Sequence, residues 1–205
     1  MNKTDNLISF TVSSLRLNEM VLLAQYAIEN QIMDLTQVRN ADIIFGSVKS
    51  ISFEKTFYQL RKRLETLTPV QIEILANGDL ISQKQIALLA VCKCYALIQA
   101  FAVEVIREKT LLFDYQLNET DYNTFFKNKV QVYPKLEQFS DSTLKKAKQV
   151  MFLMLEQAGI IDNAATKRIQ PQLLSPAVIR AIADDDTNLL KIFMFSDRDI
   201  NELKF

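Results

Sequence analysis

The sequence predicts an all-α protein, with at most one short β-hairpin, built as two helical lobes around a long central helix. Three observations carry that expectation. The 205 residues include only three Gly and four Pro, too few for the many tight turns of a sandwich or barrel. Leu, Ala, Glu, Lys and Gln, all strong helix formers, dominate together with Ile. Helix-start signatures also recur along the chain. Asp34-x-x-Gln37, Thr68-Pro-x-Gln71 and Ser82-x-x-Gln85 read as capping boxes. Ser175-Pro176 reads as an N-cap followed by a proline at the first helical position, where its missing amide is harmless. Gly78 and Gly159 stand where left-handed C-caps belong.

From these signals and the apolar periodicity, helices are expected at about 14–30, 35–43, 51–66, 69–77, 82–113, 120–132, 142–158, 176–184 and 197–203. The segment from Gly159 to Pro171 has apolar ends and a polar middle, the pattern of a short hairpin. Residues 1–80 would form an amino-terminal helix-turn-helix-like lobe, 81–118 the central helix, and 119–205 a winged-helix-like lobe.

The central stretch, IALLAVCKCYALIQAFAVEVI from Ile86 to Ile106, matches the roughly 20 apolar residues of a membrane span. Lys93 lies in its middle, and carrying it through hydrocarbon costs about 2.5–3.5 kcal/mol. On a wheel, Lys93, Ala100, Glu104 and Arg107 fall within about 60° of one another. Such a narrow polar stripe suits a core helix with one edge at the surface. No apolar signal-peptide core opens the chain, and a cytoplasmic location is expected.

The sequence offers little for catalysis. There is no His, hence neither the commonest general base nor the commonest metal ligand. Cys92 and Cys94 are the only thiols. Two residues apart, they point about 200° from each other on a helix, so they read as structural thiols. Glu104 and Glu108 read as part of an ion network with Arg107 and Lys109, and Asp184-Asp185-Asp186 as a helix end. Ser52-x-x-Lys55 and Ser142-x-x-Lys145 lack the companion motifs of a penicillin-recognising enzyme. No cofactor is implied, and the protein is expected not to be an enzyme.

Charge is the informative feature. Lysine plus arginine and aspartate plus glutamate balance at 24 each, but unevenly along the chain. Residues 49–63 carry a local +4, residues 127–148 another +4, and residues 184–202 a local −4. Each basic region lies on a helix that would close a helix-turn-helix pattern. In the first, Ser47, Lys49, Ser50, Ser52, Lys55, Arg61 and Lys62 are the candidate DNA contacts, with hydroxyls and free amides at the helix start suited to phosphate. In the second, the candidates are Lys145, Lys146 and Lys148, joined by Lys167 and Arg168 at the hairpin tip.

Several stretches occur together in an order that resembles a known family. They are SFTVSSLRLNEMVLLAQYA, LAVCKCYALIQAFAVEVIREK, FFKNK at 125–129, STLKKAKQVMFLMLEQAGII at 142–161, IQPQLLSP at 169–176 and FSDRDI at 195–200. The set is similar to the BrxA family, an accessory component of bacteriophage-exclusion (BREX) defence systems. The resemblance implies a small, helical, non-catalytic protein that binds double-stranded DNA with little sequence preference. It maps the family's basic positions onto Lys49, Lys55 and Arg61 in the first unit and onto Lys145, Lys146 and Lys148 in the second. It also implies other BREX subunits as partners and is compatible with a homodimer on DNA. The competing expectation is a scaffold that works through the acidic stretch Asp184–Glu202. RNA binding of the NusB antitermination type and membrane association rank lower.

Overall fold

We describe the protein from a computed structural model, covering residues 8–32, 34, 35, 38 and 51–203, with side chains from residue 54 onward in the second helix. Nine α-helices run through the described residues: α1 Leu17–Glu29, α2 Ile51–Leu64, α3 Pro69–Asn77, α4 Leu80–Cys94, α5 Ala96–Leu111, α6 Glu119–Val132, α7 Asp141–Gln157, α8 Pro176–Asp186 and α9 Asp197–Glu202. Tight 3₁₀ turns occupy Ser9–Val12, Pro134–Gln138 and Thr187–Phe193. The all-α expectation holds. The expected helix 35–43, the turn after it and the capping residue Gln37 fall mainly outside the described residues.

Local capping chemistry sets several of these boundaries. Thr68 and Gln71 form a reciprocal capping box at the start of α3. Ser175 caps α8 ahead of Pro176. Ser82 does not cap α4: Asp79, three residues earlier, accepts from the Ile81 and Ser82 amides at 2.9 and 3.0 Å. This carboxylate cap starts the helix three residues earlier, so Ser82 and Gln85 end up buried inside it. Gly159 has the expected left-handed backbone, φ 77. Gly78 does not, with φ −72. It is instead a place of close approach, where an added Cβ would sit 2.5 Å from the Ile74 carbonyl oxygen.

The expected continuous helix 82–113 is two helices, α4 and α5, meeting at 112°. Tyr95 is the corner, in extended conformation (φ −127, ψ 97) and fully buried. Neither Pro nor Gly causes the break. The Tyr95 hydroxyl donates to Gln59 Oε1 at 2.8 Å and accepts from Arg63 Nε at 3.3 Å, both on α2. Burial pushes that hydroxyl's pKa up to about 12.

Arg63 is itself fully buried, with no carboxylate beside it among the described residues. Its guanidinium donates instead to the carbonyls of Ser13 (2.9 Å), Ser14 (2.7 Å) and Leu15 (3.2 Å). A buried cation must be satisfied by dipoles or charge. Here the amino-terminal segment supplies the dipoles and is tied to the α4–α5 corner in return.

From Ile86 to Cys92, α4 is buried on every side, as the central helix of a core should be. The polar stripe of the sequence is split by the corner and shared among separate partners. Lys93 pairs with Asp185 on α8 at 2.6 Å, and Glu104 with Lys129 on α6 at 2.5 Å. Arg107 is buried, donating to the Phe195 carbonyl at 2.7 Å and Asp197 at 2.9 Å. Within α5, Ala102–Arg107 winds as a π-helix. Among the described residues no single helix is long and apolar enough to cross a membrane; α4 and α5 reach that length and composition only as the bent pair.

Candidate nucleic-acid interface

The second basic region is built on α6, α7 and the segment after Gly159. An aromatic cluster fixes their spacing: Phe101 of α5 lies 5.1 Å from Phe125 on α6 and 5.7 Å from Phe152 on α7, ring centre to ring centre, with steep edge contacts. Helix α7 begins at Ser140, whose hydroxyl caps the Thr143 amide. Ala147, Met151, Phe152, Met154 and Leu155 form its buried face. Ser142, Lys145, Lys146, Gln149 and Leu153 line the opposite, exposed face, at the spacing one side of a helix requires. Lys145 and Lys146 have no ion-pair partner among the described residues.

After Gly159 the chain folds back in a minimal antiparallel pairing. Ile161 bridges Ile169, and Gln116, just ahead of α6, bridges Arg168. The backbone bonds are Asp162 N–H to the Arg168 carbonyl (2.9 Å), Gln170 N–H to Ile160 (2.8 Å) and Ile169 N–H to Tyr115 (2.7 Å). Asp162 organises the tip. Its carboxylate accepts from the Thr166 hydroxyl and from the Asn163 and Arg168 amides, which hold its pKa below the ordinary 3.8. Arg168 is exposed beside this turn.

Lys148 and Lys167 differ from these free cations. Both ammonium groups meet the carboxylate of Glu119 at the start of α6, Lys167 at 3.2 Å. Each also lies over a ring, Lys148 4.7 Å from the Tyr122 centre and Lys167 5.4 Å from that of Phe152. Lys148 first, and then Lys167, hold the Glu119 carboxyl below its ordinary pKa. The clasp joins α6, α7 and the hairpin. Sequence reasoning missed Glu119 because an acid in the first turn of a helix is common for dipole reasons alone.

The first basic region is less open than its charge suggested. Ser47, Lys49 and Ser50 lie outside the described residues, as does the side chain of Ser52. Lys55 is exposed and Lys62 half-buried. Arg61 donates to the Val38 carbonyl at 3.2 Å, approaches Glu65 at 3.5 Å and packs over Tyr58. With Arg63 buried, two of the five lysines and arginines in residues 49–63 are held by the fold.

Comparison with known proteins places this architecture. A family model, BrxA, matches residues 7–186. The chain belongs to the BrxA family. One family relative, the BREX protein BrxA of Bacillus cereus (strain H3081.97), is 36% identical over 126 residues, covering 60% of this chain and 63% of that protein. The BREX protein BrxA of Escherichia coli O9:H4 (strain HS) is 25% identical over 130 residues, covering 62% and 61%. The chain thus aligns with a little over three fifths of each curated BrxA relative. A crystal structure of an uncharacterized protein from Magnetospirillum magneticum shares the fold, with a TM-score of 0.76 at 19% identity over 91% of this chain and 96% of that one.

Proposed function

We propose that this BrxA-family chain binds duplex DNA through phosphate contacts, without catalysis, as a cytoplasmic component of a BREX defence system. One observation carries the reading: Lys145 and Lys146 stand free on the exposed face of α7, next in the chain to a turn that exposes Arg168. The order of parts supports it. Helix α5, a short paired segment at Gln116, helices α6 and α7, then the paired segments at Ile161 and Ile169 follow each other as in a winged helix. There the second helix of the pair lies along the major groove. Lysine predominates over residues that read base edges, so the contacts are to backbone charge and vary little with sequence.

The test is fluorescence anisotropy with two unrelated duplexes of ~30 base pairs and a matched RNA duplex across a salt series. Similar affinity for both DNAs, falling steeply as salt rises, is the expected result. Equal RNA binding would favour an antitermination-type role, and no binding at low salt would remove the proposal.

The clasp adds a second expectation. Glu119→Gln removes the carboxylate that occupies Lys148 and Lys167 and would otherwise repel phosphate. The variant should bind DNA several-fold more tightly at low salt, with a salt slope steeper by up to ~1.8, about 0.9 for each released lysine. Stability should change little, since Glu119 is largely exposed and exposed ion pairs contribute about 0–1 kcal/mol.

A further inference from the structure

Helix α5 ends in a Schellman cap. The Phe113 amide donates to the Thr110 carbonyl at 3.0 Å and the Asp114 amide to the Lys109 carbonyl at 2.9 Å. This geometry puts Phe113 in the left-handed region, φ 59, the position glycine usually fills because a Cβ is disfavoured there. A bulky residue in this conformation is an outlier. Phe113 is also 80% exposed, and Leu112 before it 77%. Neither the backbone nor hydration therefore favours Phe at this position in the isolated chain. Among the other described non-glycine residues with positive φ, Met194 is buried, while Arg16, Gln31 and Lys167 are polar.

The surroundings select the kind of surface that would cover this tip. The Glu104, Glu108 and Asp114 carboxylates around it are 51–55% exposed, whereas their partners Lys129, Arg107 and Lys109 are 14% exposed or less. The cations are drawn inward, and the outward charge is negative. A groove of about 310 Å³ between α5 and α6, lined by Glu104, Glu108, Leu112 and Phe125 among others, adjoins the tip. An acidic rim repels nucleic-acid phosphate and anionic lipid alike.

We propose that Leu112 and Phe113 form a docking knob for another protein subunit of the BREX system, one presenting an aromatic-sized apolar pocket edged by lysine or arginine. The knob supplies buried apolar anchors of the kind that dominate interface energetics, and the carboxylates supply orientation. This inference rests on family membership and is independent of DNA binding.

Phe113→Gly separates this role from a structural one. In the isolated protein it relieves the strained cap and removes exposed apolar area, so the Tm should rise by about 2–4 °C. The same variant should bind its partner at least tenfold more weakly when each other purified BREX subunit is titrated against immobilised chain. Binding by the wild type should also weaken with salt. A fall in Tm would make Phe113 a folding residue and overturn the proposal. So would the absence of a subunit that binds the wild type, equal binding by both forms, or self-association of the wild type abolished by the variant, which would make a second copy the occupant.

Discussion

Replacing Lys145 and Lys146 together by alanine is expected to weaken duplex binding about 60-fold at 0.1 M salt and to flatten the salt slope by ~1.8. Each lysine that meets a phosphate releases condensed counterions and contributes about 0.9 to the slope. Its contribution to affinity at 0.1 M is therefore roughly eightfold. The loss should be the same on unrelated sequences, because a lysine ammonium senses charge rather than a pattern of base edges. Both side chains are exposed on the outer face of α7, so the fold should tolerate the change, which a melting curve checks directly. An unchanged slope in the anisotropy series would remove α7 from the interface.

The second large effect is on stability. Arg63→Met should destabilise the protein by about 3–5 kcal/mol, because the carbonyls of Ser13, Ser14 and Leu15 and the Tyr95 hydroxyl lose their donor. At roughly 2–4 °C per kcal/mol the Tm should drop by about 6–20 °C. Arg63→Lys should recover only part of this, since one ammonium cannot reproduce a fork that spans the carbonyls of residues 13–15 and a hydroxyl. Arg61→Ala, two positions before it along α2 and partly in solvent, should cost no more than about 1 kcal/mol. Urea unfolding of the three variants would show the contrast; equal midpoints for Arg63→Met and Arg61→Ala would refute it.

These two arginines also show what a sequence displays and what it hides. Features governed by a few neighbouring residues were readable: the capping box at Thr68 and Gln71, the Ser175-Pro176 start, the left-handed Gly159 and the amphipathic face of α7 all emerged as expected. The corner at Tyr95 was not, because its cause lies 32 and 36 positions away at Arg63 and Gln59. The helix does not start at Ser82 because Asp79, three residues earlier, caps it first. Counting charges located the basic helices but could not show that Arg63 is buried or that Lys148 and Lys167 share one carboxylate. The exposed Phe113 left a trace that was overlooked: Leu-Leu-Phe-Asp closes a helix with no Gly or Asn at the usual left-handed position.

The tie between the segment at Leu15 and α7 bears on how the protein is made. The Leu15 amide donates to Gln157 Oε1 at 2.9 Å, and the turn Ser9–Val12 packs on α7. At about 5–20 residues per second of translation, Leu15 leaves the ribosome on the order of ten seconds or more before Gln157 exists. Arg63 can gather the carbonyls of residues 13–15 within that interval, but the turn Ser9–Val12, which carries the fully buried Phe10, lacks its α7 contacts until then. Residues 9–15 are thus made well before α7, the helix that completes their packing.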